Sequence, residues 1–297
     1  MDTNKRGLIL VIIGTLCCST SPVITRFVVD LPSGQIAFFR LLFSAFFIFV
    51  LAKVSKSRLV IDSKDIIKFL YYGLVTALHF LLYIASLKYT TIAHALCIVY
   101  TSPVIIAILS ALWFKEPLPG HKYVGIFVVI LGIVILASFE PLLTREMIIG
   151  DILAFGSAIC LSLYSIAGRK ERNRYELLQY VFWVYLLASI FLLPVALSNF
   201  TVPQTFKHWI FLLLLALIPN TLGHTLYNAG LRYTHAAYAN LILTQEITLG
   251  TLLGYIFLRE PVGKNAIIGI AVMIFGIYQV LFDKKPGDKL KKMQEEC

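Results

Sequence analysis

One carboxylate, Glu246, stands midway along an apolar run that extends from 235 to 258. An ionised acid at the centre of a bilayer costs on the order of 2.5–3.5 kcal/mol on insertion scales, so a chain that keeps one there either uses it or neutralises it. Two readings follow: Glu246 binds substrate or a proton, or it is a protonated structural acid satisfied by a neighbour such as Gln245 or Arg40. His79 and His224 lie equally deep, as proton relays or substrate contacts in one reading and as hydrogen-bonded packing histidines in the other. Arg40, one third of the way into its apolar run, either snorkels to water or binds an anion. Asn240, Thr244, Tyr100 and Thr101 add neutral donors and acceptors, and Tyr227, beside the short turn into the ninth run, is either a further cavity residue or a structural corner. None of Cys17, Cys18, Cys97, Cys160 and Cys297 forms a CxxC pair, and the chain carries no Walker A, Rossmann or GxSxG sequence. The sequence therefore predicts no cofactor, no metal and no catalytic nucleophile, and leaves a gradient or exchange as the energy source.

The elements that must position these residues are written twice. "FKEPLPG" at Phe114–Gly120 returns as "LREPVGK" at Leu258–Lys264, and the offset of 144 that carries Glu116 to Glu260 also carries Tyr83, Leu87, Thr90 and Ala93 to Tyr227, Leu231, Thr234 and Ala237. Downstream it carries Gly125 and Gly132 to Gly269 and Gly276. Glycines, alanines and charges match as well as Leu and Ile, which shared apolar bias alone would not produce. Glu116-Pro117 and Glu260-Pro261 each close an apolar run, since proline lacks an N–H and disfavours helical geometry in the residue before it. Either pair taken singly is a helix terminator; as a repeated pair they mark two equivalent ends, read here as gate positions.

With 59% apolar and 14% charged residues and a mean hydropathy of +0.83, the chain lies far from soluble composition. Runs of about 20 apolar residues suit helices that cross a bilayer. They fall at about 7–29, 33–53, 66–88, 91–114, 121–139, 148–168, 177–198, 207–231, 235–258 and 264–282. The fold class predicted is an all-α integral membrane protein of ten transmembrane helices in two inverted five-helix repeats, 1–140 and 141–282, with a cytoplasmic polar tail at 283–297. Five is odd, so the second copy enters the membrane from the opposite side. The first run is too long for a signal peptide and is read as an uncleaved span. Nineteen of the 26 Lys and Arg residues fall on one side if both termini are cytoplasmic. Topology thus accounts for the formal charge of +10 without a nucleic acid partner.

On a helical wheel of about 100° per residue, Asn240, Thr244, Thr248 and Thr251 share one face of the ninth run, with Glu246 nearly opposite. A helix polar or small on several sides belongs inside a bundle. If that helix is straight, Glu246 and Asn240 look into different spaces. The "CCSTSP" run, Cys17 to Pro22, signals a bend or a cavity wall in the first helix.

Ten helices in a five-helix repeat, "YTSPVIIAILSALWFKEPL" at Tyr100–Leu118 and "LTQEITLGTLLGYIFLREPV" at Leu243–Val262 together resemble the EamA-type carriers of the drug/metabolite transporter superfamily. The family pattern of a proline midway along helix 4, a glutamate midway along helix 9 and a Glu-containing end to both is met by Pro103, Glu246, Glu116 and Glu260. Helix 9 departs from it by carrying Ile247 where many relatives have proline. The resemblance implies a secondary carrier of small polar metabolites in which helices 4 and 9 line the pathway. The expected function is secondary active transport of an amino acid or related compound across the cell inner membrane by alternating access, with export as the direction and proton coupling or exchange as the drive. Uptake or exchange of a nucleoside-like or cofactor-like metabolite, and multidrug efflux, are the transport alternatives; a polytopic membrane enzyme acting on lipid is the alternative of another class. Monomer and homodimer are both left open.

Overall fold

The computed structural model describes residues 3–115, 118–137, 144–171, 173–260 and 262–282. Glu116, Pro117, Pro261 and the tail lie outside these residues. Among them, nine helices are long and apolar enough to cross a membrane, and a shorter apolar helix, Gly120–Leu136, makes the tenth. All regular structure among the described residues is helical.

In chain order the helices are α1 (Thr3–Cys18 and Ser21–Arg26, called α1a and α1b), α2 (Ser33–Val54), α3 (Ile66–Ser86), α4 (α4a, Ile92–Val99; α4b, Ser102–Phe114) and α5 (Gly120–Ala137). The second set is α6 (Arg145–Glu171), α7 (Leu177–Ser198), α8 (Phe206–Leu215, then a π-helical stretch Ala216–His224, then Thr225–Leu231), α9 (α9a, Ala236–Leu243; α9b, Gln245–Leu258) and α10 (Lys264–Phe282). The side of the bundle where α1 begins is called the near face, and the other the far face.

The packing follows the repeat. α2 lies against α7 and α5 against α10, each a helix beside its own repeat mate, while α1 on α8 is matched by α6 on α3. Small residues let backbones meet where lipid supplies no hydrophobic drive. A Cβ added to Gly132 would sit 2.7 Å from the carbonyl oxygen of Gly269, and one on Gly269 would sit 2.6 Å from that of Gly132. The equivalent pair, Gly125 and Gly276, makes the same crossing one repeat operation away. Large apolar side chains such as Leu112, Phe127 and Ile152 point outward, whereas Arg40, Ser44, Asn220 and Glu246 are buried. The outer surface is thus apolar, as a lipid solvent requires, and the interior is an apolar core that encloses the few deep polar groups.

The interruptions sit where the repeat puts them. α4 breaks at Tyr100–Thr101 and α9 at Thr244, the position 144 residues on from Tyr100. α4b and α9b also end alike: Lys115 and its repeat mate Arg259 both take the left-handed conformation, with φ of 54° and 56°. That cap turns the chain back, and the Glu260 N–H closes onto the Gly254 carbonyl at 3.3 Å. A left-handed cation, Lys115 or Arg259, is therefore the C-terminal stop of each half-helix, written once per repeat.

Candidate functional site

α9b begins directly after the break, which places Glu246 in its first turn. Free backbone N–H groups and the helix dipole favour a carboxylate there. Glu246 is 5% exposed; Tyr100 donates to its Oε2 at 2.6 Å and Tyr83 to its Oε1 at 3.5 Å. Tyr100 is the residue at which α4 breaks, so the two interrupted helices meet through this hydrogen bond. Gln245, one of the two neighbours named for the structural reading of the acid, accepts from Thr248 instead.

Arg40 does not snorkel. It is 1% exposed, donates from Nη1 to Ser21 Oγ at 2.8 Å and from Nε to Asn220 Oδ1 at 3.1 Å, and its guanidinium lies 4.3 Å from the centre of the Phe80 ring. Asn220 is held in turn. Its Nδ2 donates to Ser44 Oγ at 3.0 Å, and Ser44 donates to the Ala216 carbonyl at 2.9 Å. Asn220 lies in the π-helical stretch beside Pro219, where one wide turn moves a side chain off the regular helical stripe. Ser21 opens α1b, just past the interruption at Ser19–Thr20.

His79 Nδ1 is paired with Ser157 Oγ at 2.8 Å, and its ring centre is 6.4 Å from that of His224. His224 packs edge-on against Phe80 and Tyr164, and its buried Nδ1 makes no hydrogen bond to protein. Ser21, Arg40, His79, Phe80, Tyr83, Tyr100, His224 and Glu246 border one cavity between the repeats. The space left there is about 10 Å³, roughly what a single water requires. No ion pair of 4 Å or less joins Arg40 to Glu246, so each charged group is held by neutral partners.

The other residues singled out from sequence lie elsewhere. Asn240 Oδ1 accepts from Ser102 Oγ at 2.9 Å, Tyr227 donates to Ser165 Oγ at 2.8 Å, and Thr101 and Thr244 donate to carbonyls of their own helices, Ile98 and Leu241. Glu260, at the far face, pairs with Arg26 Nε at 3.3 Å and accepts from the Ile92 N–H at the start of α4a at 3.4 Å. Arg26 also donates to the carbonyls of Leu87 and Thr90. At the near face Arg169 does the same to Leu231 and Thr234, the repeat mates of those two residues. Sequence reasoning missed Asn220 and the role of Tyr83, whereas Ser21 belongs to the Cys17–Pro22 run read as a bend or a cavity wall, and it lies at both. The Pro219-Asn220 pair in α8 was an available signal, since proline within a span marks locally irregular backbone.

The family model described as "EamA-like transporter family" matches residues 5–138 and 148–282. Similar proteins include the "Pseudopaline exporter CntI" of Pseudomonas aeruginosa (strain UCBPP-PA14), 22% identical over 286 residues and covering 96% of this chain and 99% of that protein. Another is the "Uncharacterized transporter YyaM" of Bacillus subtilis (strain 168), 23% identical over 75% of each chain. A solved crystal structure superposes with a TM-score of 0.80 over 93% of this chain and 96% of its own, at 16% identity, and so shares the fold.

Proposed function

Because the chain belongs to the EamA-like transporter family, we propose that it is a secondary carrier exporting a small polar metabolite, an amino acid or related compound, across the bacterial cytoplasmic membrane by alternating access. That it is a multi-pass membrane transporter and not an enzyme follows from the family itself; substrate, direction and drive are the proposal. The observation that carries it is one acid and one guanidinium, both buried, bordering a small cavity between two inverted repeats. An α-amino acid offers each of them its complement, its carboxylate to Arg40 and its amine to Glu246. Such a molecule does not fit in about 10 Å³, so loading requires the half-helices to part, which inverted repeats permit at either face in turn. The name of the Pseudomonas relative, an exporter, supports the outward direction.

In this reading Glu246 exchanges a proton for the substrate amine, and the far-face contact of Glu260 with Arg26 and α4a is one latch. Glu116, Pro117 and Pro261, outside the described residues, are proposed as the remaining gate ends by repeat equivalence. Both termini and the segments 53–68 and 169–174 are placed in the cytoplasm from the distribution of Lys and Arg; strong labelling of a cysteine at Ser57 by an impermeant reagent in intact cells would refute this. The carrier reading is tested with purified protein in proteoliposomes and a panel of labelled amino acids, with and without an imposed proton gradient. Gradient-accelerated movement of at least one panel member is expected. Failure of every member to move or to exchange, with the gradient in either sense, would overturn the amino-acid assignment.

A further inference from the structure

At the near face a groove of about 720 Å³ opens between α3, α4b and α6, within the roughly 300–1,000 Å³ range of ligand sites. Ile67, Leu112, Trp113, Leu163 and Ile166 form apolar walls, and Lys68 and Lys170 border it near the start of α3 and the end of α6. The repeat-equivalent place, at the far face between α8, α9b and α1, is built differently. There α1b folds in after the Ser19–Thr20 interruption, Phe27 stacks on Phe211 at 4.6 Å, and Cys18 reaches the Pro219 carbonyl. α6 runs unbroken to Glu171 and makes no such inward fold. At the far face α1b, from the first repeat, covers this space; at the near face α6, from the second, leaves it to the surroundings.

Those surroundings are lipid along the walls and a membrane surface at the lysines. Lys170 makes no ion pair among the described residues. Lys68 shares the Asp65 carboxylate with Arg174 and with the Tyr175 hydroxyl, so the single charge of Asp65 is divided among more than one cation. We propose that this groove is a binding site for an anionic phospholipid, its acyl chain along Trp113 and Leu163 and its phosphate between Lys68 and Lys170. Apolar walls fit any lipid chain; the two lysines select the negatively charged head group, through the attraction that draws basic clusters at helix ends to acidic lipids.

Trp113 is the reporter. The full chain is reconstituted in vesicles of phosphatidylcholine doped with rising mole fractions of dibrominated phosphatidylglycerol or, in parallel, dibrominated phosphatidylcholine. The fluorescence quenched in wild type but not in Trp113→Phe is taken as that of Trp113. Expected is quenching at several-fold lower mole fraction for the brominated phosphatidylglycerol, a preference falling about fivefold for each lysine neutralised in Lys170→Gln and Lys68→Gln, the worth of one lysine near an acidic head group. Lys170→Arg keeps the preference and guards against a folding defect. Equal quenching by the two lipids would leave Trp113 merely facing the bilayer and would overturn the site. So would a preference that survives both Gln substitutions, or an absence of quenching by either lipid. The measurement requires no transport, so it stands or falls apart from the carrier reading.

Discussion

Helices α4 and α9 occupy equivalent places in the two repeats and break at equivalent residues, yet they do so with different chemistry. α4 carries Pro103 two residues past its break; α9 carries Ile247 at that position and breaks nonetheless. At Thr244 the ladder is interrupted by short-range bonds, Thr244 Oγ1 to the Leu241 carbonyl and the Ile247 N–H to the Thr244 carbonyl. Proline is thus neither required for the interruption nor enough for one, since Pro194 lies inside the unbroken α7, and the packing common to both repeats holds the break in α9. Charge is distributed in the opposite manner. Glu246 has Ser102 as its repeat mate, and Ser102 pairs with Asn240 in a neutral hydrogen bond. Symmetry supplies the architecture twice, and the sequence places the charged chemistry in one copy.

The strongest way to break this comparison is Glu246→Gln, which makes the two half-helix starts alike in charge. Gradient-driven net transport is expected to fall on the order of 100-fold, the scale for losing a positioned proton-transfer group, with its pH dependence abolished and exchange retained. Glu246→Ala should lose exchange as well. Normal net transport and a normal pH profile for the Gln variant in proteoliposomes would return Glu246 to the role of a protonated structural acid.

Next in size is Asn220→Ala, which leaves Arg40 in place but removes its Nε partner. A hydrogen bond to a charged group contributes roughly 1.5–3 kcal/mol, so the apparent affinity for substrate should weaken roughly 10- to 100-fold. An unchanged KM with normal yield would mean that Arg40 does not contact the transported molecule. A smaller effect is expected at the far face. The Arg26–Glu260 pair is partly exposed, and such pairs contribute no more than about 1 kcal/mol. Glu260→Gln should therefore speed labelling of a cysteine placed at Thr25, in a background without the native cysteines, by no more than about fivefold. No acceleration at all would remove the pair as a latch.

Ile247→Pro sharpens the comparison with the smallest effect, because it gives α9 the proline of α4. The substitution sacrifices the bond from the Ile247 N–H to the Thr244 carbonyl, a net loss of about 1 kcal/mol, in a turn that is already interrupted. Transport should persist with a Tm lowered by a few degrees. Loss of folded protein would show that the two breaks differ more than their positions indicate.

The ten spans and the repeat were legible because a bilayer imposes length and polarity on each helix separately, and an offset of 144 residues needs no structure to be seen. Glu246 and Arg40 stood out for the same reason, as charges where a lipid solvent tolerates few. Their surroundings were not legible. A straight wheel for the ninth helix set Glu246 opposite Asn240, but the break at Thr244 separates the two half-helices, so one wheel does not describe both. Arg40 meets Asn220 across 180 positions of sequence, and only the wide turn of α8 brings that amide into reach. Tyr83 and Tyr227 are repeat mates of identical type, yet one reaches Glu246 and the other Ser165.

The sequence by itself determined the membrane class, the number of crossings, the inverted repeat and the presence of a midspan acid, because each follows from composition or periodicity along one segment. Which polar groups share a cavity, that little space is left in it, and that one of two equivalent lateral spaces is covered by α1b while the other lies open at Trp113 were decided by tertiary structure. Those facts depend on where interrupted helices place their second halves, and that is set by packing between segments far apart in the chain.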